Sequence, residues 1–292
     1  MKKGILFAFI SFLYYFQGGA QSTEKFDSLM SAISFYADVM VNADQDEHRV
    51  RAHQVFVESI SNLMAQPGSF NFSFEKIPWI SELQADKLRI VTWQLRISDQ
   101  EYKYGGFIQT PEKLIELKDS RPWINGSQTA TYTAVSWYGA LYYEMIPFQS
   151  GGKDFYLLLG FNAENDKVNT KVADILDLTG QDPVLGVPLF VGKEETQTRL
   201  MLTYADVASV HLNYDSTARA IIHDHLESLS GAGPSGEILV VSDGSQEAWY
   251  LKDDKWQYLE EYNDIKVEVP PMTEDRKERK EDKDLFGRPK KE

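Results

Sequence analysis

Apolar residues early in the chain recur every three or four positions, whereas from about Leu88 onward they alternate with polar ones. Phe26, Leu29, Met30, Ile33 and Val41, with Ala37 between them, predict one helix. Val50, His53, Val55, Phe56, Ile60, Leu63 and Met64 predict a second. Asn42-Ala43-Asp44 breaks the pattern, with Asp44 placed to cap the second helix and Glu47 at the capping-box position. Pro67-Gly68 ends it. So short a connection predicts an antiparallel helical hairpin over 21–68.

The period then becomes strand-like. Leu88 to Arg96 and Glu101 to Gln109 flank a turn at Ser98-Asp99-Gln100, and Tyr138 to Ile146 and Asp154 to Phe161 flank one whose Gly151-Gly152 supplies positive φ. Arg199 to Tyr204, Val210 to Tyr214, Ala218 to His225, Glu237 to Val241, Gln246 to Leu251 and Lys255 to Leu259 read as further strands with short turns, notably Lys252-Asp253-Asp254. No long amphipathic helix separates successive strands, so the expectation is an antiparallel β-meander over 88–262 rather than βαβ units. So many strands must curl into a barrel-like or sandwich-like sheet; no fixed repeat period marks propeller blades. The predicted fold class is α+β, a single domain over 21–269 with the helical hairpin packed on the sheet.

The two ends read differently. Lys2 and Lys3 precede an apolar run from Ile5 to Phe16, and Gly18, Gly19 and Ala20 follow: a signal peptide over 1–20, too short for the roughly 20 residues a spanning helix needs. The expected location is therefore the periplasm or exterior of a Gram-negative bacterium, without membrane insertion once the signal is removed. After Pro270-Pro271 the segment to Glu292 mixes charges of both signs with almost no apolar residue, which predicts a disordered tail.

Composition narrows the chemistry. The 292 residues include no cysteine, which removes disulfides, thiolate metal sites, a cysteine nucleophile and a lipoprotein anchor. Cysteine-free export fits the periplasm, so the sequons at Asn71 and Asn125 read as accidental. A formal charge of −14 opposes binding to nucleic acid or anionic lipid. Hydrophobic residues make up 42% of the chain, enough for a core without staples.

Three of the five histidines, His211, His223 and His225, fall within fifteen residues. His223-x-His225 on one strand presents both rings to one face, half of a zinc site. A turn centred on Ser216-Thr217 would put His211 on the opposite face, and Asp224 also points away from its neighbours. Solvated or hydrogen-bonded histidines are the plainer reading, and no cofactor is expected. Glu47-His48 fits an exposed helix face, the Ser230–Gly236 loop lacks a phosphate-loop ending, and there is no Gly-x-Ser-x-Gly. Trp137, Trp249 and Trp256 are candidates for stacking on a glycan or protein ligand, against the alternative of cross-strand core packing. Pro78-Trp79 and Pro122-Trp123 read as loops pinned to the core.

Asp38-Val39-Met40-Val41-Asn42-Ala43, Arg89 to Leu95, Tyr156 to Asn162 and Asp224-His225-Leu226 together resemble a group of exported Bacteroidetes-type proteins of no known function. The resemblance implies export and a single domain and brings no functional residue. The expectation is an exported, non-enzymatic binding or envelope-associated protein; the alternative is a secreted hydrolase, metal-assisted at His223 and His225.

Overall fold

The computed structural model describes residues 26–98, 100–121, 128–233, 236–260 and 262. The signal segment, Pro122-Trp123, the Asn125 sequon, Pro234-Ser235 and the charged tail lie outside the described residues. The helix expected first is α1, residues 26–42, and the second is α2, Asp46–Met64. The cap differs from expectation. The N-cap is Gln45 and makes no side-chain cap bond. Asp44 stands one residue too early for that role, and its carbonyl and that of Ala43 instead accept Nη1–H bonds from the buried Arg49, at 3.2 and 2.7 Å.

Strands β1 (Ile80–Ala85), β2 (Leu88–Ser98), β3 (Glu101–Gln109) and β4 (Leu114–Lys118) pair in sequence order as an antiparallel sheet. A central sheet follows from β5 (Tyr132–Thr133), β6 (Leu141–Ser150), β7 (Lys153–Ala163), β8 (Val168–Asp177) and β9 (Val184–Leu185), in the order β5-β9-β8-β7-β6. After the short β10 (Phe190–Val191) and β11 (Thr196–Gln197), β12 (Arg199–Ala205) returns to pair with β8. The third sheet adds β13 (Leu212–Asp215), β14 (Ala220–Leu229), β15 (Leu239–Lys252) and β16 (Lys255–Leu259), in the order β11-β10-β16-β15-β14-β13. Among the described strands only β10 and β16 pair in parallel, one exception to the expected antiparallel meander.

Side-chain alternation stacks these pieces. On β2, Val91, Trp93 and Leu95 join Ile33, Met40, Phe56 and Ile60 in one core cluster, while Leu88 and Ile90 point the other way and join Leu158, Val172 and Leu176 of the central sheet. The opposite face of the central sheet, with Leu157, Leu159, Ala173 and Ile175, packs on Phe190, Ile221, Trp249 and Trp256 of the third. The order of layers is helices, first sheet, central sheet, third sheet. Because the central sheet is covered on both faces, Leu157, Leu158 and Leu159 are consecutive and all fully buried.

Turn chemistry matches the sequence where glycine or aspartate accepts positive φ. Gly151 and Gly152, at φ +56° and +75°, join β6 to β7, and Asp253 and Asp254, at +51° and +62°, join β15 to β16. Pro147 is tolerated inside β6 because β6 is an edge strand of its sheet. The segments expected as separate strands, Glu237 to Val241 and Gln246 to Leu251, are one strand, β15, broken by an irregularity between its pairings with Asp224 and Leu226.

Candidate functional site

Leu212 pairs with His223 and Tyr214 with Ile221, so the β13–β14 turn is two residues longer than expected. A shift of two keeps side chains on the same faces, and His211 lies on the face opposite His223. His223 is 3% exposed, opposite Glu247. Its Nε2 accepts the indole N–H of Trp249 at 3.1 Å, so its proton sits on Nδ1, which donates to the Asp224 carbonyl at 3.0 Å. Burial pushes its pKa down and favours the neutral ring.

His225 has other partners. Its Nδ1 lies 2.9 Å from Oδ2 of Asp243, in the irregular stretch of β15. Bonds from the Ser245 hydroxyl and N–H, with a smaller contribution from His225, hold the Asp243 carboxyl down to about 2. Neighbours along β14 do point apart, yet Asp224 meets His211, the residue just before β13, 3.0 Å from Nδ1 to Oδ2. Among the described residues no three His, Asp or Glu side chains gather closely enough to hold a metal ion. Both ring nitrogens of His223 are already engaged, which leaves it no free lone pair for zinc.

The three stacking candidates sit in the core. Trp137 is fully buried and donates its N–H to the Tyr142 hydroxyl at 3.0 Å; Trp249 is 6% exposed; Trp256, 1% exposed, stands edge-on to Phe148 and Tyr214. Trp137 and Trp256 are enclosed in the core, and Trp249, packed in the same core as Trp256, also borders a cleft of about 280 Å³ with Lys193, Glu195 and Tyr258. In two-sided sheets an aromatic on either face of a strand meets another layer.

Larger concave surface lies around the β2–β3 turn. A cleft of about 650 Å³ separates the first turns of α2, with Asp46, Glu47 and Arg51, from Ile97, Ser98 and Glu101. A second, of about 430 Å³, shares Ile97 and Glu101 and continues past Tyr102 to Lys103, Arg121 and Glu164. A third, of about 550 Å³, shares Tyr102 and is lined by Pro78, Trp79, Gln94, Arg96 and Leu141. The first two have Ile97 and Glu101 in common and the second and third have Tyr102, so all three border the end of β2 and the start of β3.

Two arginines, Arg49 and the partly buried Arg121, fix the walls. Arg49 of α2 donates its Nε–H to the Arg96 carbonyl at 2.9 Å, where β2 loses register with β3. Arg121 binds Asp119 through Nε and Nη2 and reaches the Tyr102 carbonyl at 2.5 Å and Asn162 Oδ1 at 2.8 Å, its guanidinium 4.8 Å from the Tyr104 ring centroid. Glu164 accepts the Tyr138 hydroxyl at 2.8 Å. Reading the sequence passed over Arg121, which carries no motif, and gave Trp79 a purely structural part. The proline before Trp79 was the available signal, and it marks a fixed aromatic without saying which face is wet.

No protein-family model, no curated protein and no solved structure matches the chain. Among the described residues no helix is long and apolar enough to cross a membrane.

Proposed function

We propose that this is an exported, non-enzymatic binding protein that holds its ligand in the clefts around the β2–β3 turn. The observation that carries the reading is the grouping of three clefts around Ile97, Glu101 and Tyr102, with aromatic and polar groups lining them. Export is supported by the basic, apolar and small-residue order of positions 2–20.

A metal-assisted hydrolase at His223 and His225 has less support. The two rings are committed to different partners, and His223 is buried with both nitrogens engaged. The test is native mass spectrometry of the mature protein, purified gently from its own envelope fraction, beside a Trp79→Ala variant and with elemental analysis. A co-purified ligand lost in the variant supports the clefts as the binding surface. Stoichiometric zinc that disappears in a His223→Ala, His225→Ala variant would replace this reading with the hydrolase.

A further inference from the structure

We infer that the open outer edge of β15 takes a further strand from the chain's own residues 265–269, which lie outside the described residues. The inference is independent of the clefts around the β2–β3 turn. Strands β14 and β15 run on beyond the rest of their sheet. β13 pairs with β14 only at 220–223 and β16 pairs with β15 only at 248–252, so the pairs from Leu226↔Ser242 to Leu229↔Leu239 form an arm of two strands. Two strands alone are marginal in water, and a third strand with an apolar face is what makes such an arm stable.

The arm carries apolar side chains that join none of the three core clusters. Leu229 and Ile238 are 41% and 63% exposed, and Leu239, Val240 and Val241 are half-buried. The register puts Leu229, Leu239 and Val241 on one face. Along the outer side, 238–242 holds no charged residue and no proline to protect an edge from pairing.

The chain itself leads to this edge. After β16 the Tyr262 N–H donates to the Gln246 carbonyl at 2.9 Å, so the backbone still runs antiparallel along β15 there and heads toward Ser242. Ile265, Val267 and Val269 then alternate with Lys266 and Glu268, the period of a strand with one apolar face. Val269 stands as far beyond Tyr262 in the chain as Leu239, the first residue of β15, stands before Gln246. Pro270 and Pro271 follow, and residues without an N–H end the ladder where β15 itself begins. With Ile265, Val267 and Val269 on the face of Leu239 and Val241, the apolar face becomes three strands wide and the two charges turn to the other side.

The test is hydrogen exchange, read by mass spectrometry, on the mature full chain. Amides of 239–242 and 265–269 should be protected together, and Val267→Asp should speed exchange in both at least about tenfold while the central sheet is unchanged. Because the chain has no cysteine, a paired substitution reads the contact directly and decides the matter if Val267→Asp fails to fold. Val241→Cys with Val267→Cys should close an intrachain disulfide under mild oxidation about tenfold faster than Val241→Cys with Lys266→Cys, where the two side chains would lie on opposite faces. Exchange of 265–269 at the rate of an unstructured peptide, or equal closure by both pairs, would overturn the proposal. A disulfide formed only between two molecules would also overturn it, and would seat a second copy's strand on the edge.

Discussion

Trp93 of β2 donates its indole N–H to Nε2 of His53 on α2 at 3.1 Å, a cross-layer bond that ties the second helix to the first sheet. Trp249 makes the same kind of bond to His223 inside the third sheet. Each requires a lone pair on Nε2, so each histidine is held as the neutral ring. Burial, with a smaller push from Lys103, brings His53 down to about 4.

The sign of the pH effect follows. Between pH 6.5 and about 4 the unfolded chain binds the His53 proton and the folded chain does not, so stability is full above 6.5 and falls as the solution is acidified through that window. His223 acts in the same direction. Thermal melting scanned from pH 7 to 4 should show a steady fall. His53→Gln, which retains a carbonyl oxygen to accept the indole N–H, should make it shallower. An equal slope in that variant would assign the loss to other groups.

Gly105 lies opposite Trp93 on β3, and a Cβ built there would lie 2.5 Å from the indole ring. The ring covers the glycine and fills the space a side chain would occupy. Gly105→Ala must push Trp93 away from both Phe56 and His53, with a cost of about 1–3 kcal/mol. Urea denaturation would measure the loss, and a changed near-ultraviolet spectrum would report the displaced indole.

Asp174 and Arg199 form an ion pair in the central sheet, 3.3 Å apart, with side chains 1% and 0% exposed. Arg199 also donates to the Ala130 carbonyl at 3.0 Å and lies 4.3 Å over the Tyr132 ring. Removing the cation alone leaves a buried carboxylate, already pushed up by desolvation, without its compensation. Arg199→Met should cost about 3–5 kcal/mol by chemical denaturation, and adding Asp174→Asn should recover part of it. Strict additivity would show that the pair is not coupled.

The two histidines of the His-x-His strand should respond unequally. His223→Ala strands the buried Trp249 N–H and opens space beneath Glu247, for a loss of about 1–3 kcal/mol. His225 lies in a half-exposed pair, and His225→Ala should change stability by less than about 1 kcal/mol. Equimolar zinc should leave the melting temperature of the parent chain unchanged; a rise lost equally in both variants would reveal a shared metal site.

Much of the architecture was legible because it is written in local periodicity. The stripes of both helices, the bounds of β3 and β16, and the Gly151-Gly152 and Asp253-Asp254 turns depend on neighbours in sequence. β8 was not legible. Asn169, Thr170, Lys171 and Asp174 interrupt its apolar pattern, and Asp174 is at home in a core only because Arg199 arrives from a strand some twenty-five residues later. The division of the expected curled sheet into three stacked sheets was hidden for the same reason, since a strand alone does not show what covers its second face.

The sequence by itself determined the helices, most strands, the capacity for a large core without disulfides and the parity that separates His211 from His223, because each follows from spacing along one chain. Only the tertiary structure decided that Trp137, Trp249 and Trp256 are core while Trp79 and Tyr102 line a cleft. Exposure depends on which layer comes to rest against a face, and that is set by contacts between residues far apart in the chain.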